Sequence, residues 1–163
     1  MKPTSEILER IAKSSKEHKD GVFTRLYRYL LREDIYYAAY QKLYANRGAT
    51  TKGIDDDTAD GFSELYIKEL IQDLQNGTYR ANPVRREYIP KKNGKKRLLG
   101  IPTIEDRVAQ MVLRNRLEPL VEPIFLDDSY GYRPNKSALD AIEMARSRCF
   151  KMKWVIEFDI VGL

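Results

Sequence analysis

PVRREYIPKKNGKKRLLGIP, residues 83–102, is the stretch from which the rest of the fold can be read. Two runs of strand-forming residues, Val84 to Ile89 and Arg97 to Ile101, flank Lys92-Asn93-Gly94-Lys95 and predict a β-hairpin. Asn-Gly at its centre predicts a type I′ turn, in which both central residues take positive φ. Charge is concentrated here. Arg80, Arg85, Arg86, Lys91, Lys92, Lys95, Lys96 and Arg97 face one acid, Glu87, a local net of +7 (eight cations less one acid). The whole chain carries +5, so the remainder is about −2 and the basicity is local. A ribbon with clustered cations suits a polyanion such as RNA, DNA or a nucleoside triphosphate. The alternative is a solvated turn whose lysines keep a sheet edge from aggregating.

Working outward, 163 residues suit a single domain with a real core, and apolar residues recur along the whole length. No run approaches a membrane span, and residues 1–20 lack the hydrophobic stretch of a signal peptide. Cys149 is the only cysteine, which excludes an internal disulfide and fits a reducing cytoplasm. His18 is the only histidine, so zinc sites and Ser-His-Asp triads are nearly excluded. Catalysis would fall to carboxylates, cations or bound metal.

The helical spacing of Ile7, Leu8 and Ile11 predicts an amphipathic helix over 3–19. A second helical stripe from Phe23 to Leu43 predicts two helices, broken near Arg32-Glu33-Asp34. Tyr27, Tyr29, Tyr36, Tyr37, Tyr40 and Tyr44 crowd this segment, either as base-stacking platforms or as core residues with surface-reaching hydroxyls. Residues 46–61 read as a loop. Its acids Asp55, Asp56 and Asp57 lack EF-hand spacing, and Asp57 or Asp60 suits a helix cap. Leu65, Ile67, Leu70, Ile71 and Leu74 predict the inward face of a helix over 62–76, stopped by Asn76-Gly77. Thr103, with Asp106 three residues on, opens a long helix that Pro119 and Pro123 limit or kink. Asn135 or Ser137 opens another through Leu139, Ile142 and Met144. Trp154 to Ile160 alternates as a strand, with Asp159 near its end. Such a strand needs sheet partners, and the expectation is that the chain is a fragment whose receiving sheet lies elsewhere.

Four stretches in order, NRGATTKGID (46–55), YIPKKNGKKRLLGIPTIEDRVAQ (88–110), LEPLVEPIF with SYGYRP (117–134) and WVIEFDI (154–160), resemble the N-terminal part of the reverse transcriptases encoded within bacterial group II introns, also called intron maturases. The resemblance implies an α+β fold: a mostly helical fingers subdomain, a basic hairpin and the first strand of a polymerase palm. It divides the chain into an N-terminal extension (1–21), helices with a template-lid loop (22–82), the fingers (83–153) and the start of the palm (154–163). It implies RNA-directed DNA synthesis by the intact protein, a nucleotidyl transfer using Mg²⁺, with assistance to intron RNA splicing.

By the same resemblance Asp159 is the first catalytic and metal-binding aspartate, and Lys91 and Arg97 hold the triphosphate of the incoming deoxynucleotide. Arg85 and Ile101 match positions near the template or the nascent base pair. Arg86, Lys92, Lys95, Lys96 and Arg133 complete the expected RNA contacts, and Asn46, Arg47, Gly48, Thr51 and Gly53 form the lid loop. Two carboxylate-held metals fit such a transfer, since hard Mg²⁺ prefers carboxylate and phosphate oxygens. Arg97 can contact phosphate bidentately while Lys91 acts as a point charge. The sequence departs from the family pattern at Leu98, where proline is common, and at Val161. The Tyr-Ala-Asp-Asp box and the steric-gate aromatic are absent, so these residues alone are expected not to synthesise DNA. Expected partners are intron RNA, template RNA with a DNA primer, deoxynucleotide and a second copy of the chain, with no membrane. A competing reading is a splicing module that binds RNA without catalysis. Self-association through the apolar face of 154–160 is the other.

Overall fold

The computed structural model of the chain describes residues 3–61, 63–158 and 160. They divide into two compact units, residues 1–123 and 124–163. The expected α+β character holds: the described residues form six α-helices and a two-stranded antiparallel sheet.

The first unit opens with α1 (Thr4–Glu17) and the single-turn α2 (Tyr27–Leu30), followed by α3 (Glu33–Tyr44). The predicted break thus falls between Leu31 and Arg32. After the loop, with a 3₁₀ turn at Ala59–Gly61, come α4 (Glu64–Asn76), the hairpin strands β1 (Arg85–Pro90) and β2 (Lys96–Ile101), and α5 (Ile104–Val121). The core is where α3, α4 and α5 meet. Ile35, Tyr36, Ala39, Ile67, Leu70, Ile104, Val108 and Val112 are buried together with Ala59 from the loop. Their spacing of three and four puts each set on one helical stripe, which is why these three helices assemble.

Of the crowded tyrosines, Tyr36 is core and its hydroxyl donates to the Leu30 carbonyl at 2.7 Å, while the Tyr40 hydroxyl donates to the Ala59 carbonyl at 2.6 Å. Tyr27, Tyr37 and Tyr44 remain exposed.

Local signals set the boundaries. α4 stops at Gly77, whose φ of 70° lets the Gly77 and Thr78 N–H groups turn back onto Leu74 and Asp73 carbonyls. The Thr103 hydroxyl accepts from the Asp106 N–H at 3.3 Å and starts α5, which runs through Pro119 and stops short of Pro123.

Asp57 and Asp60 cap nothing, because α4 begins one turn later, after Ser63. Leu65, expected inward, is 63% exposed on the outer side of α4. The hairpin turn is not type I′. Only Gly94 has positive φ (78°); the Gly94 N–H bonds the Lys91 carbonyl at 3.0 Å and the Lys91 N–H bonds the Lys95 carbonyl at 2.7 Å. That pattern is a tight turn followed by a left-handed glycine bulge, the three-residue solution to the same hairpin.

The second unit holds α6 (Ala138–Cys149). Ser137 and Asp140 form a reciprocal capping box at its start, Ser137 accepting from the Asp140 N–H and Asp140 from the Ser137 N–H. Of the two expected caps, Ser137 is therefore the one used. The strand expected over 154–160 does not form among the described residues. Trp154, Ile156, Phe158 and Ile160 are each more than three-quarters exposed. β1 and β2 pair only with each other there, and a strand without a neighbour has nowhere to send its N–H and C=O groups.

Candidate nucleic-acid interface

The hairpin register pairs Arg85 with Ile101, Glu87 with Leu99 and Ile89 with Arg97 on one face. Arg86 with Gly100, Tyr88 with Leu98 and Pro90 with Lys96 occupy the other. Arg85, Ile101 and Arg97, three positions singled out from the sequence, therefore share a face. The two-residue period carried one step past Pro90 assigns Lys91 to that same face.

Both faces are open: Tyr88, Ile89, Leu98 and Leu99 are exposed, and only Arg85 and Ile101, at the base, are half-buried. Arg85 Nε lies 3.6 Å from Glu87 Oε1, and Arg80 donates to the Gly77 and Tyr79 carbonyls. The side chains of Arg86, Lys91, Lys92, Lys95, Lys96 and Arg97 make no hydrogen bond or ion pair among the described residues.

An isolated two-stranded ribbon is marginal in water, so the base must hold it. Asp106, 2% exposed on the first turn of α5, does so from both sides. Its carboxylate accepts from the Tyr79 hydroxyl at 2.5 Å and from the Asn82 N–H at 3.0 Å, both ahead of β1. It also accepts from the Thr103 hydroxyl at 3.0 Å, just beyond β2. Burial, and then the Asp106 carboxylate itself, push the Tyr79 phenol well above its usual range, so it stays protonated and available to donate. Sequence reading saw Asp106 only as half of a cap. Its reach to Tyr79 and Asn82 left no local signal.

The loop that follows α3 is tied to the same place. Gly53 is buried, and a Cβ there would lie 2.8 Å from Thr103 Cα, 2.9 Å from Thr103 N and 3.0 Å from the Pro102 carbonyl oxygen. Only a residue without a side chain lets loop and hairpin base approach so closely. Arg107 completes the tie: Nε donates to the Pro102 carbonyl at 3.1 Å, Nη1 to Gly48 at 2.9 Å, and Nη2 to Thr51. Burial lowers the Arg107 pKa, with the charge of Asp55 acting the other way, but the group stays cationic. Gly48 and Thr51 thus contribute carbonyls, the Asn46 carbonyl accepts the Ala49 N–H, and Arg47 stays exposed. Arg107 was not anticipated as an anchor.

In the second unit Arg133 turns inward, donating to the Leu126 carbonyl at 2.6 Å and the Ser129 carbonyl at 2.9 Å while its guanidinium lies over Phe125. It braces its own loop. Asp159 lies outside the described residues, and among those described no three His, Cys, Asp or Glu side chains come together as metal ligands.

Comparison with known proteins gives this geometry a context. Residues 89–163 match the family described as reverse transcriptase (RNA-dependent DNA polymerase). The chain is 58% identical, over 99% of its length, to the group II intron-encoded protein LtrA of Lactococcus lactis subsp. cremoris, of which it covers 27%. It is 37% identical over 94% of its length to an uncharacterized 91 kDa protein in the cob intron of Schizosaccharomyces pombe, covering 19% of that protein. Protein YkfC of Escherichia coli K12 is 32% identical over 96% of the chain, which covers 43% of it. The chain therefore spans less than half the length of each of these relatives.

Proposed function

We propose that the chain is part of a group II intron-encoded reverse transcriptase and that its basic hairpin handles nucleic-acid and nucleotide phosphates for RNA-directed DNA synthesis. The observation that carries this reading is the pairing of a clamped base with a cationic rim that is unpaired among the described residues. Asp106 and the Gly53–Thr103 contact fix where the ribbon starts, and the Lys91, Lys92, Lys95, Lys96, Arg86 and Arg97 side chains have no hydrogen-bond or ion-pair partner among the described residues. Cations already satisfied inside the protein would have nothing to offer a phosphate; these do.

In this reading Lys91 and Arg97, on the Arg85–Ile101 face, hold the triphosphate. Arg97 offers a planar fork to two oxygens and Lys91 a mobile point charge, and both offset negative charge as pyrophosphate leaves. Arg85 and Ile101, at the half-buried base, lie against the template. The tip lysines follow the backbone of intron or template RNA, and residues 46–55 lie over the template strand. A divalent metal belongs to reverse transcriptase chemistry in general, and Mg²⁺ is the ion we assign. The described residues bring together no carboxylate set to hold it. No helix among them is long and apolar enough to cross a membrane, and a cytoplasmic setting is part of the same proposal.

The test is steady-state kinetics on the full-length protein carrying Lys91→Ala or Arg97→Ala. Each substitution removes a charge-assisted contact to phosphate and should raise the apparent KM for deoxynucleotide about tenfold, with kcat changed less. An unchanged KM removes these residues from the triphosphate site.

A further inference from the structure

Arg116, on the fourth turn of α5, is 1% exposed, and among the described residues none of its Nε, Nη1 and Nη2 atoms has a hydrogen-bond partner. Among the described residues no other arginine or lysine is so fully enclosed. Its guanidinium carbon lies 4.0 Å from the centre of the Tyr29 ring. Arg28 lies over the same ring at 4.7 Å and donates to its hydroxyl at 2.8 Å, and Arg10 and Arg32 act electrostatically on that phenol. Two guanidiniums thus lie against one tyrosine ring, and the charges of two more act on its hydroxyl. The carboxylate that acts on Arg116, Asp34, is already engaged: it accepts from Arg32 Nε at 2.9 Å, Arg32 Nη2 at 2.7 Å and the Thr4 N–H at 3.0 Å. A buried cation with all its donors idle costs more than one aromatic face returns, so this cluster is short of an anion.

We propose that Arg116, together with Arg10, Arg28 and Arg32, forms a phosphate-binding site in which a phosphate group takes the place of the Tyr29 ring against the buried guanidinium. The guanidinium fork matches two phosphate oxygens, and the surplus of four cations over one carboxylate suits a phosphate better than a singly charged carboxylate. Access comes through α2. It is a single turn of four residues with none of them buried, flanked by Arg25 in the left-handed region at φ 61°, and its opening gives up the Tyr36 bond to the Leu30 carbonyl and the Tyr27 bond to the Leu74 carbonyl. The site does not depend on what the hairpin binds.

The experiment is urea unfolding of the full chain at constant ionic strength, with chloride exchanged for low-millimolar inorganic phosphate, for acetate, or for a short single-stranded RNA. At a ligand concentration ten times its dissociation constant, the folded-to-unfolded ratio should rise about elevenfold. Arg116→Met, which replaces an unpaired buried cation by an apolar chain, should fold at least as well in chloride and lose that increment, in the RNA arm as the part not supplied by the hairpin. A gain with inorganic phosphate identifies a free-anion site, and a gain with RNA alone identifies a phosphodiester site. No gain with either, an equal gain with acetate, or the same gain in Arg116→Met overturns the proposal. If Arg116→Met does not fold, Arg10→Ala/Arg28→Ala, changed only at exposed positions, decides in its place: a reduced increment supports the site and an unchanged one overturns it.

Discussion

Asp106→Ala is expected to destabilise the protein by about 3 kcal/mol or more, because three donors lose a charged acceptor at once and each such bond contributes about 1.5–3 kcal/mol before non-additivity. The loss is local in a specific way. Tyr79 and Asn82 lead into β1 and Thr103 follows β2, so the substitution frees both legs of the hairpin while the α3–α5 core keeps its apolar contacts. Against a typical total of about 5–15 kcal/mol, a loss of this size is large. The check is the urea midpoint combined with amide hydrogen exchange. Exchange should accelerate most over residues 85–101, before the core helices respond. Tyr79→Phe removes one of the three bonds and serves as the graded comparison. If Asp106→Ala unfolds at the wild-type midpoint, or hairpin amides exchange no faster, the ribbon is held by something other than this carboxylate.

Gly53→Ala should cost about 1–3 kcal/mol, as overpacking in a closely fitted contact does. All three atoms that an added methyl would meet belong to the backbone of Pro102 and Thr103, so no side chain can swing aside. Either the loop lifts off or the start of α5 shifts. Both outcomes disturb the Arg107 bonds to the Gly48 and Thr51 carbonyls, and the loop should become more susceptible to limited proteolysis between residues 46 and 58. Gly48→Ala, where a Cβ meets nothing within 4 Å, is the matched control and should be nearly silent. Equal effects from the two alanines would mean that the close approach at Gly53 has no part in fixing the loop.

What could be read from the sequence was what short-range rules govern. The stop at Gly77, the caps at Thr103 and Ser137 and the hairpin itself each depend on residues within a turn of one another. The turn type was misread because Asn-Gly suits two related loops, and which one forms depends on whether Asn93 also goes left-handed; here only Gly94 does. Leu65 was misplaced because the stripe on α4 is narrower than its apolar content. The anchors of the candidate site were illegible for a different reason. Arg107 meets Gly48 across 59 positions and Asp106 meets Tyr79 across 27, and nothing in either local sequence marks such a meeting. The 154–160 alternation was real as a pattern, but a pattern becomes a strand only beside another strand.

If the ribbon is the surface that binds nucleic acid, its tip lysines touch phosphate. The most direct measurement is equilibrium binding of a single-stranded RNA at several salt concentrations, comparing the wild-type chain with Lys92→Ala/Lys95→Ala/Lys96→Ala. Each lost phosphate contact on a single strand should reduce the slope of log affinity against log salt by about 0.7, so three should reduce it by about 2. A slope identical in the two proteins would show that these lysines stay in solvent and that the ribbon is not the contact surface.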